Sequence, residues 1–174
     1  MKFLYQFLVI TGVLFCVVSC NNENQTTFSS ESEQQREDSL NLKLDITPYV
    51  KTSLSPQADS VILKWPVYND LKIEINRIDN YNIQDVISNV TTLEKAIDSL
   101  QKTIPEQIDT FPVVSRVNVL NTKAKHLLML SSKQRPPLLP IKRIAEEFPL
   151  EFNALNVQLN EVFIELPKFD NQLD

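Results

Sequence analysis

Residues 83–100 read IQDVISNVTTLEKAIDSL, and the spacing of their apolar residues decides the fold. These residues form two interleaved rows, each with a seven-residue repeat: Ile83, Val90 and Ile97, and then Val86, Leu93 and Leu100. Such rows are the a/d pattern of helices that pack along a common seam. The stretch therefore predicts a long amphipathic helix in an all-α protein.

A second apolar stripe precedes this stretch and runs one residue out of phase with it. It comprises Tyr68, Leu71, Ile75 and Ile78. The phase slip falls in DNYN, residues 79–82, where the helix either continues with a distortion or gives way to a new helix capped by Asn80 or Asn82. We expect continuity, with one helix over about 66–104, because Pro66 suits a first helical turn and Pro105 ends the helix.

Two more heptad-patterned segments follow, and they predict helices over about 112–132 and 139–166. Pro149 falls inside the last helix but outside its seam, so we expect a bend there and not an end. Short proline-bearing loops make neighbouring helices antiparallel. The sequence thus predicts a bundle domain over residues 56–170, built from three antiparallel, coiled-coil-like helices.

The three predicted helices differ in length, so the first would extend beyond the other two. The stripe Tyr68, Leu71, Ile75 and Ile78 would then lack cover. Cover would come either from the Leu40–Lys64 segment folding back or from a second protein chain. This stripe is the predicted site of self-association or of contact with a protein partner.

The N-terminus carries the signature of an export signal, a basic Lys2 followed by a mostly apolar run over residues 3–18. The run is too short for a membrane span, which needs ~20 apolar residues. Its end, Val17-Val18-Ser19-Cys20, resembles the lipobox of bacterial lipoproteins. The resemblance covers about the first 20 residues.

That resemblance implies a lipoprotein signal peptide over residues 1–19 and an acylated Cys20 that anchors the mature chain in a lipid bilayer. The following residue is Asn21 and not Asp, which favours the outer membrane without indicating which face. Residues 20–55 are expected to form a lipidated flexible tether, because residues 21–39 are polar and poor in apolar side chains.

Composition excludes several classes of function. The mature region has 16 basic and 22 acidic residues, a net charge of −6, which argues against a nucleic-acid partner. The only glycine is Gly12, in the signal, so a Gly-rich phosphate loop is excluded. No thiol beyond Cys20 remains after export, and the single histidine, His126, suits a surface position. We expect no catalytic site, metal or cofactor.

The charges are segregated along the chain. No acid lies between Asp109 and Glu146, but seven bases do: Arg116, Lys123, Lys125, Lys133, Arg135, Lys142 and Arg143. This run, residues 116–143, binds either an anionic surface, such as lipid headgroups, or the acidic third helix beside it.

Three serines occur in an Asp-Ser-aliphatic pattern that resembles an O-glycosylation motif of some exported bacterial proteins: Ser39, Ser60 and Ser99. The body is also similar to helical lipoproteins of the bacterial envelope. Together these features indicate a non-catalytic envelope component that acts as an adaptor, assembly factor or chaperone-like binder. The alternative is a ligand-binding or inhibitor module with a groove between helices.

Overall fold

The computed structural model describes residues 33–164 of the chain, and the regular structure in that range is helical apart from one isolated bridge. The all-α class is confirmed. The helices are α1 over residues 33–40, α2 Pro56–Ile62, α3 Pro66–Ile78, α4 Ile83–Lys102, α5 Phe111–Ser131 and α6 Leu138–Glu161, with a 3₁₀ turn at Glu106–Ile108. No helix among the described residues is long and apolar enough to cross a membrane.

The chain divides into two compact units, Met1–Asp38 and Ser39–Asp174. In the first unit the described residues belong to α1, where Gln34 Nε2 donates to Asp38 Oδ1 at 3.4 Å, one helical turn away. The polar composition predicted an unstructured tether at these positions, and the structure is helical there. Cys20 and the signal lie outside the described residues.

The predicted continuous first helix is wrong, because the chain breaks between α3 and α4. Asn82 caps α4 through a capping box: its side chain accepts from Asp85 N at 2.8 Å, and Asp85 Oδ2 accepts from Asn82 N at 3.0 Å. The box satisfies two amides that a helix end would otherwise leave unpaired. The phase slip in DNYN is therefore a helix boundary.

Because of this break, the described residues form four main helices, α3 to α6, where three were predicted. The helix before the break, α3, lies antiparallel along α4. Trp65 Nε1 at the start of α3 donates to Thr103 Oγ1 at the end of α4, at 3.0 Å. In this arrangement α3 packs against α4 and α6, while α5 packs against both of those helices from the other side. Successive helices are antiparallel, and together they enclose a single hydrophobic core.

The apolar stripe predicted as an interaction site lies inside this core. Tyr68, Leu71, Ile75 and Ile78 are each 3% exposed or less. The prediction that they need cover from outside is therefore corrected: folding back places α3 with its stripe towards α4 and α6 of the same chain. Because α4 and α6 of the same chain cover these residues, they cannot serve as a docking surface.

Residues 41–55, named the strap from here on, also belong to the body. Ile83 N donates to Leu42 O at 3.1 Å, and Leu44 N donates to Tyr81 O at 3.0 Å, which pairs the strap with the turn before α4. Leu44, Ile46 and Leu54 pack against the core. The predicted tether over residues 20–55 is therefore wrong for the strap, which packs three partly buried apolar residues against the core while Leu42 and Val50 stay exposed.

The remaining helix ends follow local chemistry. Ser55 caps α2 by accepting from Ala58 N at 3.2 Å, and Pro56 occupies the first turn. In α6 the helix continues through Pro149, which is buried. It ends at Glu161, short of the predicted limit near 166, and residues 165–174 lie outside the described part of the chain.

Candidate functional site

A cleft of about 430 Å³ lies between the strap and one face of α3 and α6. Its apolar wall includes Ile75 and Phe152, which are buried in the core. Its polar rim includes Lys72 and Asn76, both exposed and without a hydrogen-bond partner in the described part of the chain. An apolar wall with a polar rim is typical of a small-molecule site.

Three asparagines on one face of α6 hold the strap along this cleft. Asn153 Oδ1 accepts from Thr52 N at 2.7 Å, and Asn160 Oδ1 accepts from Ser55 N at 2.7 Å. Asn160 Nδ2 also donates to Ser53 O at 2.8 Å. An extended segment without a neighbouring strand leaves its backbone groups unpaired, and the asparagine amides satisfy them.

Asn156, between the other two, joins the strap to the core. It accepts a hydrogen bond from Tyr68 Oη at 2.7 Å and donates to Thr52 O at 3.4 Å. The ring of Tyr68 lies 5.2 Å from that of Phe152, centroid to centroid. We name Asn153, Asn156 and Asn160 the asparagine clamp, because each bonds the strap backbone directly.

Burial determines the protonation of the tyrosines at the cleft. It raises the pKa of Tyr68 well above its usual value, assisted by the negative charge of Asp59 and opposed by the hydrogen bond to Asn156. Burial likewise raises the pKa of Tyr49, on the strap. Both hydroxyls are therefore neutral at physiological pH, but that of Tyr68 already donates to Asn156, so only that of Tyr49 is available to donate to a ligand.

Sequence reasoning missed the clamp. A heptad count weighs only apolar positions, and it left the asparagines of α6 as solvent-facing residues. The signal available in the sequence was their spacing, because residues 153, 156 and 160 recur every three or four positions and share a helix face. Three amides on one helix face can bond the backbone of another segment, but their spacing does not say which segment that is.

The basic run divides between internal pairing and free charge. Lys123 on α5 bonds Glu147 and lies 3.2 Å from Glu151, both on the acidic α6, and Lys142 bonds Glu146 one turn along its own helix. The hydrogen bonds to the two glutamates outweigh the effect of burial and raise the pKa of Lys123. The first of these roles, binding to the acidic last helix as one of the two alternatives predicted, therefore accounts for Lys123.

The other five bases of the run make no ion pair within residues 33–164: Arg116, Lys125, Lys133, Arg135 and Arg143. All except Arg116 are exposed. Of these unpaired bases, Lys133, Arg135 and Arg143 lie in or near the α5–α6 loop, whereas Arg116 lies near the start of α5 and Lys125 along it.

A small polar network joins α4 to α5 inside the bundle. Asn121, only 4% exposed, donates to Gln101 Oε1, and Gln101 Nε2 donates to Asn118 Oδ1 at 2.7 Å. Asn121 Oδ1 has no partner among the described residues. A buried asparagine at a helix interface favours one register of the two helices over others, because any slip leaves more of its groups unpaired.

The predicted modification sites lie apart from the cleft. Ser60 and Ser99 are exposed, on α2 and α4, and Ser60 Oγ donates to Gln57 O at 2.7 Å. Ser39 is partly buried at the end of α1. His126 is exposed on α5, and no group of three metal-ligating side chains forms within residues 33–164. The lipidation site, Cys20, lies outside the described residues.

Exposed large apolar side chains occur at both ends of the bundle. At one end, Leu63 shares a crevice with Pro105 and Gln107, Phe111 opens α5, and Ile164 follows α6. Phe111 is 85% exposed and Leu63 is 73% exposed. We name Leu63, Phe111 and Ile164 the apolar end. The opposite end carries Leu42, Met129 and Leu139, each more than half exposed.

No protein-family model, curated protein sequence or solved structure matches this chain.

Proposed function

We propose that this protein is a lipid-anchored, non-catalytic component of the bacterial cell envelope that acts as an adaptor, assembly factor or chaperone-like binder. The observation that carries the proposal is the lipobox-like Val17-Val18-Ser19-Cys20 at the end of an export signal. Acylation of Cys20 with more than one chain gives a lasting anchor, since a single chain binds only reversibly. Asn21 favours the outer membrane.

Support for a binding role comes from the surface of the body. The heptad-patterned helices bury their apolar rows against one another, and six of the eight exposed large apolar side chains among the described residues lie at the two ends of the bundle. The apolar end, with Leu63, Phe111 and Ile164, is the surface that we propose for a protein partner. Exposed aromatic and aliphatic side chains of this kind supply the anchors of protein interfaces.

The anchoring is tested by metabolic labelling with an alkyne analogue of palmitate, followed by fractionation of the envelope. We expect the wild-type chain to carry the label and to enter the outer-membrane fraction. Cys20→Ala should abolish the label and remove the chain from the outer-membrane fraction. An unlabelled wild-type chain would reject the lipoprotein proposal.

The binding role is tested by site-specific photo-crosslinking in intact envelopes. A photoreactive phenylalanine analogue replaces Phe111 at the apolar end and, as a matched control, Lys95 on the exposed face of α4. We expect a discrete adduct from position 111 that is absent at position 95 and weakened by Leu63→Ser. The same adducts at both positions, or none at 111, would reject the apolar end as a partner surface.

A ligand-binding module is the second candidate function, favoured by the cleft of about 430 Å³ beside the strap. The neutral hydroxyl of Tyr49, the unpaired Lys72 and the amide of Asn76 suit a small polar or anionic molecule. Screening such compounds by thermal shift tests this role, since a ligand that binds only the folded state raises Tm. Lys72→Ala should remove the shift, whereas Lys95→Ala should not.

A further inference from the structure

One end of the bundle carries unpaired positive charge together with an exposed apolar side chain. Lys133 and Arg135 lie in the α5–α6 loop, and Arg143 lies in the second turn of α6, one turn beyond Leu139. The three bases are exposed and make no ion pair within residues 33–164, and Leu139 is 72% exposed. We name these four residues the basic tip.

Leu139 and Arg143 are four residues apart, so their side chains are neighbours on one face of α6. That face does not point into the core, because Ile141 and Ala145 occupy the core positions of this segment. An exposed leucine beside an arginine resembles the surface of interfacial helices, which place apolar side chains among acyl chains and basic ones among headgroups.

The exposed carboxylate of Asp45 has no partner within residues 33–164, whereas three other acidic residues on this side of the bundle are engaged. Glu146 accepts hydrogen bonds from Lys142 and from the backbone N–H of Asp45. Asp85 is held in the capping box of α4, and Asp79 pairs with Lys51 at 3.5 Å. None of these carboxylates forms an ion pair with a base of the basic tip within residues 33–164, so the three bases remain available to an external anion.

The chain enters the body at this same end. The strap begins by pairing with the turn before α4, and Asp45 N bonds Glu146 in the third turn of α6, close to the basic tip. The start of α4 lies beside the end of α5 because the two helices are antiparallel.

We propose that the basic tip docks on an anionic phospholipid surface and sets the orientation of the anchored bundle. This inference rests on the proposed function for the presence of the anchor. The lysine and two arginines engage phosphate headgroups, and Leu139 inserts between them. The apolar end then points away from the membrane, towards a partner.

The proposal is tested with the chain from residue 21 onward, which contains the whole described body but no acyl group. Vesicles of phosphatidylcholine are compared with vesicles that also contain phosphatidylglycerol, in a co-sedimentation assay. We expect binding only to the anionic vesicles, weakened by added salt. The double variant Lys133→Glu/Arg135→Glu should lose at least about 25-fold in affinity, since each lost base near an anionic surface contributes a factor of about five and the new carboxylates add repulsion.

The matched control is Lys64→Glu/Lys95→Glu, which makes the same change in net charge at two exposed bases away from the basic tip. It should bind as the wild type does. Equal losses in both double variants would overturn the proposal, because general electrostatics would explain the binding. Leu139→Ser provides a second measurement, with an expected loss of roughly 10-fold from the apolar insertion. Thermal melts check that every variant is folded.

The outcomes separate this proposal from the proposed function. If the native protein is acylated but the unacylated chain does not bind anionic vesicles, the basic tip is not a membrane-binding surface. The proposal of a lipid anchor is then still supported. If a photo-crosslinker at Arg135 captures a protein in envelopes while vesicle binding is absent, the tip docks an acidic protein and the lipid proposal is wrong. If vesicle binding survives but Cys20 is unlabelled, only the anchor is rejected.

Discussion

Replacing Asn160 by alanine removes two contacts of the asparagine clamp in one step. Its Oδ1 accepts from Ser55 N at 2.7 Å, and its Nδ2 donates to Ser53 O at 2.8 Å. Each hydrogen bond contributes about 1 kcal/mol net, so the free energy of unfolding should fall by about 2 kcal/mol. Alanine is the better helix former by about 0.5 kcal/mol, which reduces the net loss to about 1.5 kcal/mol.

The matched control is Asn69→Ala, on the exposed face of α3, where the asparagine side chain has no hydrogen-bond partner within residues 33–164. In this variant the free energy of unfolding should rise by about 0.5 kcal/mol, because only the helix propensity changes. Urea unfolding followed by circular dichroism measures both variants, and their difference of about 2 kcal/mol isolates the clamp.

Hydrogen exchange gives a local readout of the same contact. In Asn160→Ala the Ser55 amide should lose protection, because its acceptor is gone, while core amides of α5 exchange as before. Equal stability of the two alanine variants, together with unchanged protection of Ser55, would refute the claim that the clamp holds the strap.

Three further perturbations test other parts of the structure. Asn82→Ala should lower the free energy of unfolding by about 1 kcal/mol in urea titration, because it removes the capping box of α4, whereas Asn80→Ala should leave it nearly unchanged. Leu127→Ala, at a fully buried position, should cost about 3 kcal/mol, against less than about 0.5 kcal/mol for Val50→Ala at an 88% exposed one. Tyr68→Phe should cost about 1 kcal/mol at neutral pH through the bond lost to Asn156. Because the pKa of Tyr68 is raised in the folded state, its contribution is present below its unfolded pKa of about 10 and is lost as pH rises above that value. The variant should therefore lose less stability than wild type between neutral and strongly alkaline pH, and parallel pH curves would contradict this assignment.

The apolar periodicity was sufficient to predict the helices but not how they pack. The rows Ile83–Ile97 and Val86–Leu100 lie buried along α4, and the seam of the last helix stays in phase across Pro149. Both follow from local spacing, which a single helix carries by itself. The number of helices in the bundle depended on DNYN, where a distorted helix and a capped break satisfy local rules equally well.

The contact between the asparagine clamp and the strap could likewise not be predicted from the sequence. Residues 41–46 alternate like a strand, but they pair with the turn before α4, and it is residues 52–55 that bond a helix face about one hundred residues further along the chain. Asn153 and Asn160 gain their roles only when α6 lies against the strap. No local pattern specifies that contact, because an asparagine on a helix surface can bond water as well as it can bond another part of the chain.

The sequence by itself determined the all-α class, most helix positions and the segregation of charge, because these follow from residue spacing within single elements. It also carries the lipobox-like Val17–Cys20 on which the proposed anchoring depends. Only the tertiary structure decided that α3 folds back, that its stripe is buried by its own chain and that the strap is clamped. Those outcomes depend on long-range burial: covering the Tyr68–Ile78 stripe within one chain removes its apolar surface from water without needing a partner.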